Sequence, residues 1–386
     1  MEVKAGYKQT EVGVIPEDWC PFTVGDCVKL VNGYGFKASD WGTFGLPIIR
    51  IQNLNDRSQG FNFYSGCYDK KHLVETGDLL FAWSGTTGTS FGARLWDGPT
   101  GLLNQHIFKV IPNQSLVSLK FALLALLRAQ EKIVKEAHGF KTSFVHIKKS
   151  DLNKILFSLP PLPEQQAIAN ALSDADALIE SLEQLIEKKR QIKQGVMQEL
   201  LTGQKRLPGF TGEWETKRLG SLCSMKSGEG ITAKNIDSSS QFPCYGGNGL
   251  RGFTTRFTHD GNYCLIGRVG ALCGNLLEVK GQFFASEHAI VVTPLDSVDI
   301  SWLTLALGTL RLNGRAESSA QPVLTVSKLL PIEMVVPVYK AEQTAIAAVL
   351  SDMDMEIAAL KAKLAKTRQV KLGIMQELLT GKVRLI

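Results

Sequence analysis

One seven-residue string, Met197-Gln198-Glu199-Leu200-Leu201-Thr202-Gly203, constrains this chain more than any other feature, because it recurs from Met375 to Gly381. Reading back from both copies, the match extends without a gap to Glu164-Gln165 and Glu342-Gln343. Roughly 25 of about 44 aligned positions are identical, at an offset of about 178 residues, far beyond coincidence. Half a protein is repeated, so the fold must use two copies of one device.

That device is a long helix. In the first copy Ile168, Leu172, Ala175, Ile179, Leu182 and Ile186 step by four and three, the spacing of a coiled-coil seam. The second copy has Ile346, Leu350, Met353, Ile357, Leu360 and Leu364 at the matching places. Both stripes run on, through Ile192, Val196 and Leu200 and through Val370, Ile374 and Leu378, drifting as on a straight helix. Each helix should hold about 38 residues and reach nearly 60 Å, with Gly203 and Gly381 as C-cap glycines. A lone helix with one apolar stripe is unstable in water, and its nearest partner is the other copy.

Two globular blocks alternate with the helices, one ahead of each. The chain of 386 residues exceeds one ordinary core. We divide it into head 1 at 1–159, a first spacer helix at 160–207, head 2 at 208–337 and a second spacer helix at 338–386. Head 1 reads as mixed and strand-rich. Leu46–Ile51 and His106–Val110 are strand-like, Ser115–Ala137 is helical, and the tract from Trp83 to Gly92 is loop-rich. Head 2 echoes it weakly. Trp19 and Gly25 are spaced like Trp214 and Gly220, Gln105-His106-Ile107 resembles Glu287-His288-Ala289, and Ser297–Arg311 matches the helix of head 1. The fold class is therefore α+β, two mixed heads separated by two long helices in a pseudo-twofold repeat. The Thr202-to-Trp214 link is short, which favours packing the helices as an antiparallel coiled coil, with the heads at opposite ends. Such a twofold suits a ligand with its own approximate dyad, such as duplex DNA.

Composition narrows the class. Hydrophobic residues make up 44% and charged residues 21%, the balance of a folded soluble chain. No stretch resembles a signal peptide or a membrane span. Seven cysteines without a CxxC pair point to reduced thiols in the cytoplasm. A net charge of +6 permits an anionic partner without demanding one.

The residues also resemble a known family, the DNA specificity (S) subunits of type I restriction–modification systems. The resemblance is carried by Leu159-Pro160-Pro161-Leu162-Pro163-Glu164-Gln165-Gln166, by Gly195 to Gly203 with its repeat at Glu342 to Gly381, and by Gly13-Val14-Ile15-Pro16-Glu17-Asp18-Trp19. It covers nearly the whole chain; the second copy departs at Pro337-Val338-Tyr339, which lacks the Pro-Pro pair. The resemblance implies two target recognition domains, each reading half of a split site on double-stranded DNA. It implies helices that set the gap and dock two methyltransferase (M) subunits, with restriction (R) subunits attached through the complex. On that reading the chain is no enzyme, needs no cofactor or metal, and forms no obligate homo-oligomer.

Enzyme motifs are sparse. Gly85, Gly88 and Gly92 are not followed by the Gly-Lys-Ser/Thr of a phosphate loop. The six histidines lack metal-ligand spacing. The runner-up reading is a Mg-dependent PD-(D/E)xK-type endonuclease using Asp260, Glu278 and Lys280, against a plain hairpin with exposed charges. Phosphates attract Lys and Arg, while base edges attract Arg, Asn, Gln and Ser/Thr. Candidate DNA contacts are therefore Lys37, Arg50, Ser84, Thr86, Thr87, Arg94 and Lys141 in head 1. In head 2 they are Asn248, Arg251, Arg256, Arg268 and Arg315. His106 and His288 fit either structural hydrogen bonding or DNA contact. The recurring Ser173-Asp174-x-Asp176 and Ser351-Asp352-x-Asp354 fit solvation or a partner subunit.

Overall fold

Apolar positions at helical spacing, free of internal proline, do produce two long helices, Leu162–Leu201 of 40 residues and Lys340–Leu378 of 39. The computed structural model describes residues 4–56, 58–137, 144–315 and 322–385. By compactness the chain divides into two units, Met1–Ser181 with Leu364–Ile386, and Leu182–Lys363. Each unit thus owns one head, the start of the helix that follows it, and the end of the other helix.

In the first unit Ile168 and Leu172 join a core with Trp19, Phe81, Phe121 and the helix end Leu378-Leu379. In the second, Ile346 and Leu350 join Trp302, Leu303 and the helix end Leu200-Leu201. Of the twelve seam positions, Ile168, Leu172, Leu182, Ile186, Ile346, Leu350 and Ile357 are buried, while Ala175, Ile179, Met353, Leu360 and Leu364 are half-buried. The continuation is mixed: Ile192, Val370 and Ile374 are 43%, 47% and 45% exposed and Val196 is half-buried, while Leu200 and Leu378 are buried in the cores. The recurring aspartates have a definite job. Asp354 accepts from Lys193 at 2.5 Å in the second unit, and Asp176 accepts from Lys371 in the first.

The Glu-Gln pair at which the repeat begins fastens each helix start to its head. Gln165 is fully buried; its oxygen accepts from Ser118 N at 2.9 Å and its amide donates to the Leu116 and Pro160 carbonyls. Gln343 repeats this with Asp299 N and the Pro337 carbonyl. Glu164 accepts from Trp19 Nε1 at 2.9 Å and from Arg384 Nε at 2.7 Å. Glu342 likewise accepts from Trp214 Nε1 and, in a two-pronged pair, from Arg206 at 2.5 and 2.7 Å. Each arginine follows the helix end that arrives from the other repeat. Between helix end and arginine, Gly203 and Gly381 adopt φ of +74° and +70°, the left-handed C-cap conformation that suits glycine.

The heads share one sheet plan. In head 2, six strands run in the order Cys223–Ser227, Ala289–Pro294, His259–Gly267, Leu276–Ala285, Phe242–Gly246, Gly249–Thr254. Head 1 splits the two long strands of this plan. One sheet orders Gly92–Leu95, Leu79–Ala82, Ile107–Pro112, Val28–Asn32; the other orders Asn62–Tyr64, Leu46–Ile49, Gly101–Leu103, Leu73–Val74. In both heads one helix, Leu119–Ala137 or Ile300–Thr309, contributes to the core under the sheet.

Candidate nucleic-acid interface

The same backbone frame brings the same loops together in each head. In head 1 the strand Val28–Asn32 runs into Gly33-Tyr34, and Tyr34 bridges Asn104. In head 2 Cys223–Ser227 runs into Gly228-Glu229, and Glu229 bridges Ser286. Both turns need glycine because another backbone lies against them. A Cβ on Gly33 would stand 2.0 Å from the Asn104 carbonyl oxygen, and one on Gly228 2.3 Å from that of Ala285. A second loop closes from the side: Trp83 N donates to the His106 carbonyl, as Arg268 N donates to that of His288. A third follows, since Ile147 N donates to the Trp83 carbonyl and Leu324 N to that of Arg268.

Side chains on this common frame diverge. Head 1 carries an aromatic rim: the Trp83 ring lies 5.3 Å from His106 and 4.8 Å from His146, and Tyr34 lies 5.8 Å from His72. Beside Tyr34 opens a cavity of about 410 Å³ walled by Phe36, Tyr64, Tyr68 and His72. Head 2 carries charge instead. Arg256 pairs with Glu229 at 2.9 Å and lies over the Phe284 ring, Arg268 donates to the Ser227 hydroxyl, and Glu287 lies 3.2 Å from His288. Gly246 and Gly247 pack this rim closely, against Arg251, the Ser286 hydroxyl and the His288 carbonyl. Burial holds His259, stacked on Phe283, below the usual imidazole range.

The sequence-based candidates fall into three groups. Arg251, Arg256 and Arg268 converge on the head 2 rim with exposed Asn248 beside them, and exposed Lys37 follows the head 1 turn. Thr86 is exposed and Thr87 half-buried on the Gly-rich loop. The others are committed to the fold. Ser84 is only 7% exposed, in a strand paired with Phe144–His146. Arg94 braces its surroundings through the carbonyls of Leu54, Thr89 and Ser90 at 2.8 to 3.2 Å. Arg50 is half-buried over the Trp41 ring; Arg315, by contrast, stays exposed and reaches back to the Leu310 carbonyl at 3.4 Å. Lys141 lies outside the described residues.

A nuclease centre does not assemble. Asp260 faces Gln282 across the hairpin and bonds it, whereas Glu278 faces Cys264 and is held by Ser301 and Lys280. Four residues of strand separate the Asp260 and Glu278 positions by about 13 Å, too far for one metal ion. Among the described residues no group of three or more His, Cys, Asp and Glu side chains could hold a metal.

Comparison with known proteins agrees with this frame. The family model for the type I restriction modification DNA specificity domain matches residues 16–192 and again 211–368. This chain belongs to that family. The specificity subunit of the type I restriction enzyme EcoprrI from Escherichia coli is 44% identical over 146 residues, 37% of this chain and 36% of that one. A putative MjaX specificity subunit from Methanocaldococcus jannaschii is 30% identical over 207 residues, 51% of this chain and 48% of that one. The matches thus span between a third and a half of these curated relatives. The crystal structure of a type I restriction–modification S subunit from M. genitalium shares the fold at a TM-score of 0.62, with 19% identity over 98% of both chains.

Within this specificity-domain pair the sequence held a further signal. Gly33-x-Gly35-x-x-Ala38 recurs as Gly228-x-Gly230-x-x-Ala233, which pairs rim residue Tyr34 with Glu229; the match of Gln105-His106 to Glu287-His288 supplies the second pair. The Gly228→Ala variant is expected to shift the head 2 turn at a cost of about 1–3 kcal/mol, because the obstacle is backbone. Hydrogen exchange should then quicken at Ser227–Ile231 and Ser286–His288 and stay unchanged in head 1.

Proposed function

We propose that this chain is the DNA-reading specificity subunit of a type I restriction–modification complex and catalyses nothing itself. The observation that carries the reading is one backbone frame built twice, with different side chains at equivalent rim positions. A pair of catalytic domains would keep its reactive residues alike. A pair of readers keeps the scaffold and varies the surface, since phosphate contacts position a protein while base contacts specify.

On this reading residues 1–159 and 208–337 are the two target recognition domains, and 160–207 and 338–386 are the spacer helices. The helices pack as an antiparallel coiled coil whose length sets the gap in a two-part site on double-stranded DNA. The cross-helix pairs Lys193–Asp354 and Lys189–Glu356 support that sense, since their numbers run in opposite directions. Exposed apolar residues on the helices, Leu185 and Ile192 on the first and Val370 and Ile374 on the second, support docking of two methyltransferase subunits. Restriction subunits attach through that complex. Lys37, Thr86, Thr87, Asn248, Arg251, Arg256 and Arg268 are the DNA contacts we retain. The chain works in the cytoplasm: all seven cysteines are free, and burial pushes Cys27 and Cys264 up to about 11 and Cys223 up to about 12. No described helix is long and apolar enough to cross a membrane.

The test is selection from random duplexes by the chain assembled with its methyltransferase partner. A two-part motif with a fixed gap is expected. Binding should weaken with salt, log affinity falling linearly against log salt concentration. A single undivided motif, or salt-independent binding, would count against the reading.

A further inference from the structure

We propose that residues 105 and 287 are paired base-discriminating positions, Gln105 selecting adenine in one half-site and Glu287 selecting cytosine in the other. The inference rests on the DNA-reading function above.

Both residues occupy one place in the shared frame, in the turn before the strands Ile107–Pro112 and Ala289–Pro294. Each side chain lies between the glycine turn and the next residue's imidazole. The Gln105 amide oxygen is 3.0 Å from where a Gly35 Cβ would stand, and its Nε2 is 3.4 Å from His106 Nε2. The Glu287 carboxylate accepts from Ile231 N at 3.3 Å, beside Gly230, and its other oxygen is 3.2 Å from His288 Nε2. Being held on both sides lowers the entropy lost on contact with a ligand. Neither tip is shut away: Gln105 is exposed, and the Glu287 side chain is 38% exposed.

Chemistry then assigns the bases. A carboxylate next to DNA is repelled by every phosphate, so it belongs there only opposite a hydrogen-bond donor. In the major groove the cytosine N4 amino group supplies one. An amide at the same place offers a donor and an acceptor together, which match adenine N7 and N6. Head 1 and head 2 therefore differ at this position in the one property that distinguishes these base edges.

The experiment repeats the random-duplex selection with the methyltransferase-bound complex carrying Gln105→Glu, and separately Glu287→Gln. Gln105→Glu is expected to change one position of one half-site from adenine toward cytosine, by roughly ten- to a hundred-fold in preference. Glu287→Gln should do the reverse in the other half only. The untouched half-site reports that each variant is folded. Unchanged base preferences with binding retained would overturn this inference, as would a loss of affinity spread evenly over all bases. If the unsubstituted complex yields no divided motif, the functional reading fails first and takes this inference with it.

Discussion

Replacing Glu164 with alanine is expected to destabilise the first unit by about 3–5 kcal/mol, the usual cost of removing one partner from a buried ion pair. Glu164 is 5% exposed and accepts from Trp19 Nε1, from two nitrogens of Arg384 and from Leu385 N. Its loss strands the indole N–H of Trp19, which is fully buried, and leaves a guanidinium whose side chain is only 21% exposed facing one carboxylate, Asp18. Glu164→Gln keeps an acceptor for the indole and should cost less. Asp18→Ala should cost under about 1 kcal/mol, because Asp18 is half-exposed and solvent screens its pairing. Hydrogen exchange read separately in each unit tests the ranking, since unfolding of the whole chain need not be two-state. A loss below 1 kcal/mol for Glu164→Ala would remove the junction from the account of stability. Acid should reveal the minor partner. The Arg384 hydrogen bond holds Asp18 below its ordinary value of 3.8, so its contribution is complete above that pH and fades as pH falls through the depressed value.

That junction also shows how far the sequence could be read. The repeat, the helices and the order of heads and helices follow from spacing alone, because helical periodicity is local and about 40 residues of it accumulate. The meaning of Glu164-Gln165 was hidden. Their partners Ser118, Trp19 and Arg384 lie 47 to 220 residues away in sequence, and nothing local encodes such pairings. The heads were harder for the same reason. Their sheets join strands distant in sequence, and head 1 breaks two strands that head 2 keeps whole, which blurs any alignment between them. Choosing candidate contacts by residue type gave Arg94 and Ser84 the same standing as Arg268. Only packing separates an arginine that caps three carbonyls from one on the rim. Tyr34, Gln105 and Glu287 were not among the candidates, although Gln was allowed for base edges, because residue type alone does not show which side chains the folded rims present. The repeated Gly-x-Gly-x-x-Ala turn was legible, and it marks where to look.

Lengthening both helices by four residues at matched points, after Lys188 and after Lys366, should widen the gap in the selected site by one or two base pairs. Four residues add about 6 Å of rise and, at 3.6 residues per turn, about 40° of rotation beyond a full turn. Duplex DNA rises about 3.4 Å per step and turns about 34° per step, at roughly 10.5 steps per turn. Length alone calls for nearly two more base pairs and rotation for slightly more than one, so the two demands nearly agree. A seven-residue insertion separates them. It adds about 10.5 Å, three base pairs, but ends about 20° short of two full turns, whereas three steps of DNA rotate about 100°. If the rod lies along the duplex as a ruler, the heads can then meet their half-sites only by twisting DNA or bending the coil. The four-residue variant should therefore bind its widened site nearly as well as the parent, and the seven-residue variant far more weakly at any gap. Equal binding by both, each at its own new gap, would mean the heads swivel freely on their helices, and neither the Glu164 nor the Glu342 junction would be rigid enough to hold a register.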